Sequence, residues 1–193
     1  MNNTKSRTSK TRPTVYAFID SQNLNLGTIK FGWKMDWKHF RSFLAKKYNV
    51  SKAFMFIGYI ADNQPMYEQL HDSGYLIALK PTVEHTNPNE DNLDSDLENR
   101  TEHHVGVKGN IDADLVLFAM KYINEYDKAV IVSGDGDFAS LAEYLIEQNK
   151  LLNILTPNWQ YSSLLKPYEQ YIDRLDLSKR LLAYNTHKKT LKK

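Results

Sequence analysis

Short β-favouring runs alternate with helix-patterned segments along most of this chain, and aspartates stand directly after two of the runs. Val15–Ile19 ends at Asp20. Trp37, Phe40, Phe43 and Leu44 follow at helical spacing, behind Asp36 as an N-cap. Ala53–Ile60 reads as a buried strand, Gln64–Ser73 as a helix closed by Gly74, and Tyr75–Leu79 as a strand stopped by Pro81. Further on come Val105–Val107, a Lys108-Gly109 turn and an apolar helix over Ile111–Ile123. The strand Ala129–Val132 enters Ser133-Gly134-Asp135-Gly136-Asp137, a helix spans Phe138–Gln148, and Leu151–Leu155 is the expected last strand. The remainder reads as helical. Strands separated by helices of this length predict an α/β domain with a mostly parallel sheet. In such sheets ligands bind beyond the carboxyl ends of the strands.

Charge divides the chain. Of 25 Lys and Arg, Lys5, Arg7, Lys10 and Arg12 precede Pro13, and Lys188, Lys189, Lys192 and Lys193 lie at the other end. The remaining 17 face 23 acids, so residues 14–187 carry a formal charge of about −6 within a whole-chain value of +2. An acidic body with basic tails suits a protein that meets a polyanion; such tails also serve solubility alone. The expected organisation is a disordered basic tail over 1–13, one domain over 14–176 and a helical, basic tail over 177–193. With no cysteine, disulfides, thiolate-zinc sites and a cysteine nucleophile are excluded. The longest apolar stretch, Ala53–Ala61, has nine residues, against roughly 18 needed to span a bilayer. A cytoplasmic location without membrane contact is the expectation.

Residues 82–104 interrupt the rhythm with seven acids and a single arginine, Arg100. A polar stretch of this length is a functional insertion or a loop. It lacks the glycine and terminal glutamate of a calcium loop.

The carboxylates carry the chemistry. Asp20 follows the first strand, Asp135 and Asp137 follow Ala129–Val132, and Asp112 opens the apolar helix in phase with Leu115, Val116 and Ala119. Each has an ordinary use: Asn23 suits the cap of a helix starting at Leu24, Asp135 or Asp137 the cap of one near Phe138, and acids in a first turn favour the helix dipole. Their joint occurrence is different, because the fold should bring them to one edge. Two unit charges 4 Å apart cost about 4 kcal/mol at an effective dielectric of 20, so protonation or a divalent cation must relieve them. Oxygen-only ligands without paired histidines favour Mg²⁺ or Mn²⁺ over zinc.

The motifs FIDSQNL, KGNIDADL and VSGDGDF, in this order, resemble the signature of the NYN domain, a branch of the PIN-like nuclease superfamily that includes LabA-like proteins. The resemblance spans roughly Val15 to Thr156. It implies a three-layer α/β/α fold with an acidic pocket for Mg²⁺ or Mn²⁺, and ribonuclease activity. By position, Asp20 matches the first metal-binding aspartate, Asn23 the pocket asparagine, Asp112 the acid after the Lys-Gly turn, and Asp135 and Asp137 the two acids of the last motif. Two residues, Asn110 and Ile111, separate the turn from Asp112, which leaves Asp112 and Asp114 both open as the metal-facing acid. Helical phase favours Asp112, since Asp114 lies about 200° away around the helix.

The expected function is a metal-dependent ribonuclease acting on RNA, single-stranded by preference, as a monomer or homodimer. Asp20, Asp112, Asp135 and Asp137 would hold the metal, and Asn23 would donate to a phosphate oxygen. Lys108, Ser21 and Ser133 are candidate contacts to nucleic acid or its attacking water. Trp33, Tyr59 and Trp159 are able to stack on bases, but aromatics in such a body are more often packing residues, and none of the three is assigned to the site. The alternative is an inactive RNA-binding or scaffolding module on the same fold. A phosphotransfer enzyme of the haloacid-dehalogenase or receiver type also uses strand-end aspartates, but fits the three motifs least well.

Overall fold

The computed structural model describes residues 12–58, 63–80 and 111–185. Lys108, Tyr59, the Val105–Val107 run and the acidic segment 82–104 lie outside the described residues. The six strands are β1 (Val15–Asp20), β2 (Val50–Gly58), β3 (Leu76–Lys80), β4 (Lys128–Val132), β5 (Leu151–Thr156) and β6 (Ile172–Arg174). They form one sheet in the order β3-β2-β1-β4-β5-β6, and every pairing is parallel. From β1 the chain winds outward through β2 to β3, then returns to place β4 on the opposite side of β1. The strand order therefore reverses between β1 and β4, which opens a crevice at their carboxyl ends.

The helices are α1 (Ser21–Ile29), α2 (Trp37–Tyr48), α3 (Gln64–Asp72), α4 (Ile111–Lys121), α5 (Ala139–Glu147) and α6 (Lys179–Leu182). Successive side chains of a strand point to opposite faces, and β1 is buried along its whole length. Its Val15, Ala17 and Ile19 join Leu24 of α1, Phe40 and Leu44 of α2, and Leu70 of α3 in one core. Its Tyr16 and Phe18 join Leu115 and Ala119 of α4 and Leu141 and Leu145 of α5 in the other. The second core is aromatic: Phe18 stacks on Phe54 at 5.5 Å, and Phe54 on Tyr122 at 5.0 Å. The result is a three-layer α/β/α sandwich with an all-parallel central sheet.

Local chemistry accounts for most element boundaries. Asp36 accepts a hydrogen bond from the His39 amide and caps α2, whose buried residues Phe40, Leu44 and Tyr48 recur every fourth position. Gly74, one residue beyond the end cap of α3, takes φ +92°, a left-handed conformation that glycine adopts without steric cost. Two expectations need correction. Asp20, not Asn23, caps the helix after β1: its carboxylate accepts from the Asn23 amide, so α1 starts at Ser21 rather than Leu24. Leu151–Thr156 is not the last strand, and the remainder is not simply helical. A nine-residue 3-10 segment, Ser163–Tyr171, kinked at Tyr168, leads into β6, which pairs with β5. Among the described residues no helix is long and apolar enough to cross a membrane.

Candidate acidic site at the sheet crevice

The last paired residues of β1 and β4 are Ile19 and Val132, so Asp20 and Ser133 emerge side by side, one position further on. Asp20 is 5% exposed and Ser133 1%. The Ser133 hydroxyl donates to Asp20 Oδ2 at 3.1 Å and accepts from the Asp135 amide at 3.1 Å. Asp20 Oδ1 accepts from the Asn23 amide at 3.0 Å. Asn23 in turn crosses to the β4 side, where its Oδ1 accepts from the Gly134 amide at 2.9 Å. Residues far apart in sequence thus form a closed network: Asp20 to Ser133, Ser133 to Asp135, and Gly134 back to Asn23. The Asn23 side-chain amino group has no partner among the described residues and remains available to donate.

Asp135 caps the 3-10 turn Gly136–Phe138 by accepting from the Asp137 amide at 3.1 Å, whereas α5 itself, expected to be capped by Asp135 or Asp137, starts behind Phe138 with no side-chain cap. That turn is tight. A Cβ on Gly136 would lie 2.4 Å from the Ser162 hydroxyl, so a larger residue there would force the loop away from the following 3-10 segment. Across the crevice, α4 carries its buried stripe on Ile111, Leu115 and Ala119, with Asp112 half-buried on its flank. Asp112, Ala113, Val116, Leu117, Met120 and Asp137 line an open cleft of about 520 Å³.

The electrostatics tie the four aspartates together. Burial holds the Asp20 carboxyl above its ordinary range, and the charges of Asp112 and Asp135 add to this against the lowering effect of its hydrogen bonds from Asn23 and Ser133. Burial also raises Asp112, helped by Asp135 and Asp137 and opposed by Lys80. Asp114 faces elsewhere: it forms an ion pair with Lys80 of β3 at 3.1 Å. The crevice therefore gathers Asp20, Asp112, Asp135 and Asp137, and sets Asp114 against a cation.

Among the described residues, no three acids or histidines converge closely enough to hold a metal ion as the side chains stand. The donor chemistry nevertheless fits a hard divalent cation, because the crowded groups are carboxylates, the chain has no cysteine and no paired imidazole competes among the described residues. Of the candidate contacts, Ser133 is committed within the network. Ser21 donates to the Phe56 carbonyl at 2.7 Å, which ties the start of α1 to β2. Sequence reasoning named Ser133 and Asn23 separately. It missed that they link the two motifs, since no local pattern reports a contact across 113 residues.

Comparison with known proteins agrees with this architecture. The chain is 24% identical over 172 residues to the low amplitude and bright protein LabA of Synechococcus elongatus, covering 86% of this chain and 87% of that protein. A crystal structure of a protein of unknown function from Vibrio parahaemolyticus has a similar fold. It gives a TM-score of 0.58 at 21% identity, over 86% of this chain and 93% of that one. The NYN domain model matches residues 14–175, so the chain belongs to the NYN domain family.

Proposed function

We propose that this protein is a ribonuclease that hydrolyses RNA phosphodiester bonds with the help of Mg²⁺ or Mn²⁺ held in the β1–β4 crevice. The observation that carries the reading is the set of four aspartates at the strand-order reversal, two of them driven above their ordinary pKa by burial and by each other. Such crowding costs folding free energy and has no structural use that a neutral residue would not serve better. Membership of the NYN domain family supports RNA as the substrate class.

Asp20, Asp112, Asp135 and Asp137 would hold the cation. The chemistry a divalent cation supplies when bound is a water of lowered pKa and compensation of charge on the phosphate. The protein's own groups divide the remaining work. Ser133 fixes the Asp20 carboxylate and the start of the Asp135 loop through one hydroxyl. The free amino group of Asn23 donates to a nonbridging phosphate oxygen. In the overall reaction the water oxygen bonds to phosphorus as the bond to one ester oxygen breaks, and that oxygen leaves with a proton.

The test is cleavage of labelled single-stranded RNA in Mn²⁺, Mg²⁺ or EDTA, beside Asp20→Asn and Asp135→Asn from the same preparation. Metal-dependent cutting should fall more than about a hundredfold in both variants, beyond the roughly 10–100-fold typical of losing a group that only orients a metal ligand. Calorimetric titration should show Mn²⁺ binding weakened in parallel. Cutting that survives in both variants would sink the assignment. RNA retained without cutting by the wild-type protein would instead identify a binding module.

A further inference from the structure

Beyond the acidic crevice, the turn after β5 presents an aromatic side chain that packing does not account for. Trp159 is 57% exposed, while its supporting loop is firmly fixed. Pro157 is wedged between two glycines: a Cβ on Gly27 of α1 would lie 2.4 Å from Pro157 Cγ, and one on Gly134 would lie 3.4 Å from Pro157 Cδ. Asn158 is 3% exposed, donates to the Gly27 carbonyl at 2.9 Å and accepts from the Gln160 amide at 2.7 Å. Trp159 then meets Phe31 nearly at right angles, 83° with ring centroids 6.4 Å apart. Gly134 is the residue whose amide is bound by Asn23, so this loop rests directly on the network that holds Asp20.

The two segments that build this shelf carry lysines between flanking acids, Asp20 and Asp36 on one and Glu169 on the other. Residues 21–35 and 157–168, which build it, contain Lys30, Lys34 and Lys166 and no acid, in a body of about −6. Lys30 and Lys34 are exposed and their ammonium groups have no partner among the described residues. An exposed indole on a fixed loop, packed on Phe31 with Lys30 next to it in sequence, matches a polyanion whose units carry π faces.

We propose that Trp159, backed by Phe31, is a stacking platform for an unpaired base of single-stranded nucleic acid, with Lys30 and Lys34 contacting the adjoining phosphates. The proposal rests on the nuclease reading and extends it. Gly27 lies seven residues along α1 from Asp20, about 10 Å at 1.5 Å per residue. The platform would therefore grip a base a few nucleotides from the phosphate being cut, and would select strands whose bases are free to unstack. A duplex keeps its bases paired and offers the indole no face.

The test separates gripping from cutting. A labelled single-stranded RNA of about 12 nucleotides, within the site sizes of single-strand binders, is titrated in EDTA and followed by anisotropy, with duplex RNA alongside. Trp159→Ala should weaken single-strand binding by roughly tenfold, the loss of one base stack, and Trp159→Phe should retain most of it. Duplex affinity should not change. Lys30→Ala with Lys34→Ala should flatten the dependence of log affinity on log salt by about 0.7 per lysine. Unaltered binding by Trp159→Ala, with metal-dependent cleavage intact, would refute the platform and leave the nuclease standing. Equal losses on single strand and duplex, or in the Ala and Phe variants, would also refute it. A wild-type protein that neither binds nor cuts RNA would remove both proposals.

Discussion

Asp20 and Asp173 belong to the same sheet, yet the fold treats them in opposite ways. Asp173, on β6, accepts from the Tyr48 hydroxyl at 2.7 Å and from the Lys47 ammonium at 3.2 Å. Burial pushes its carboxyl up, but those two donors outweigh it and hold the group below its ordinary range. Asp20 is more deeply buried, faces two further acids and, among the described residues, receives an amide and a serine hydroxyl, so it is held above that range. Among the described residues, one carboxylate has a counter-charge and the other has none. A paired acid contributes to stability; an acid held by a cap and a serine but without a counter-charge is what the proposed cation site requires.

The comparison breaks most readily through Tyr48. Tyr48→Phe removes the shorter of the two contacts to Asp173 and should cost about 1–2 kcal/mol, lowering the melting temperature by about 2–8 °C for a domain of this size. Asp20→Asn should act in the opposite direction. Asparagine caps helices as well as aspartate does and still accepts from the Asn23 amide, while the repulsion with Asp112 and Asp135 is gone. Without divalent cations the variant should melt a few degrees higher than wild type, a gain on the order of 1 kcal/mol. If instead it melts lower by as much as Tyr48→Phe, Asp20 is a structural acid and the contrast collapses.

The smallest effect is also the most diagnostic, because the two acids carry opposite pH signatures. Asp173 has a lowered folded-state pKa. Its stabilising contribution is present above the unfolded value and is lost as the pH falls through the folded one. Asp20 and Asp112 have raised folded-state pKa values. Their contribution is complete below the unfolded value and is lost as the pH rises through the folded one. Melting curves from acid to neutral pH should therefore show the deficit of Tyr48→Phe growing, and the advantage of Asp20→Asn growing as well. Mn²⁺ should erase the second trend and leave the first. Parallel profiles for both variants would contradict the assignment.

How much of this was legible in the sequence follows from the range of each interaction. The strands β1, β2, β4 and β5 are runs of apolar or β-branched residues, and their approximate positions follow from local pattern. So does α2, whose apolar stripe and Asp36 cap lie within one turn of each other. The strand-end position of Asp20 and the Asp135 cap are equally local. By contrast, β6 consists of Ile172, Asp173 and Arg174, too short and too polar to show a strand period, and it exists because β5 offers an open edge. The start of α1 was misplaced because Asp20 and Asn23 are equally competent caps. The Asp20–Ser133 and Asn23–Gly134 links, the Lys80–Asp114 pair and the exposure of Trp159 are products of tertiary packing. None leaves a periodic trace in the chain.

The placement of β1 between β2 and β4 also has a consequence for synthesis on the ribosome. One flank of β1 can pair as soon as residues to about 58 have emerged. The other must wait for a partner roughly 113 residues downstream of Asp20. At about 5–20 residues per second, the apolar ribbon Val15–Ile19 keeps an open hydrogen-bonding edge for about 6–23 s. During that interval the nascent chain is most exposed to mispairing with its neighbours on a polysome.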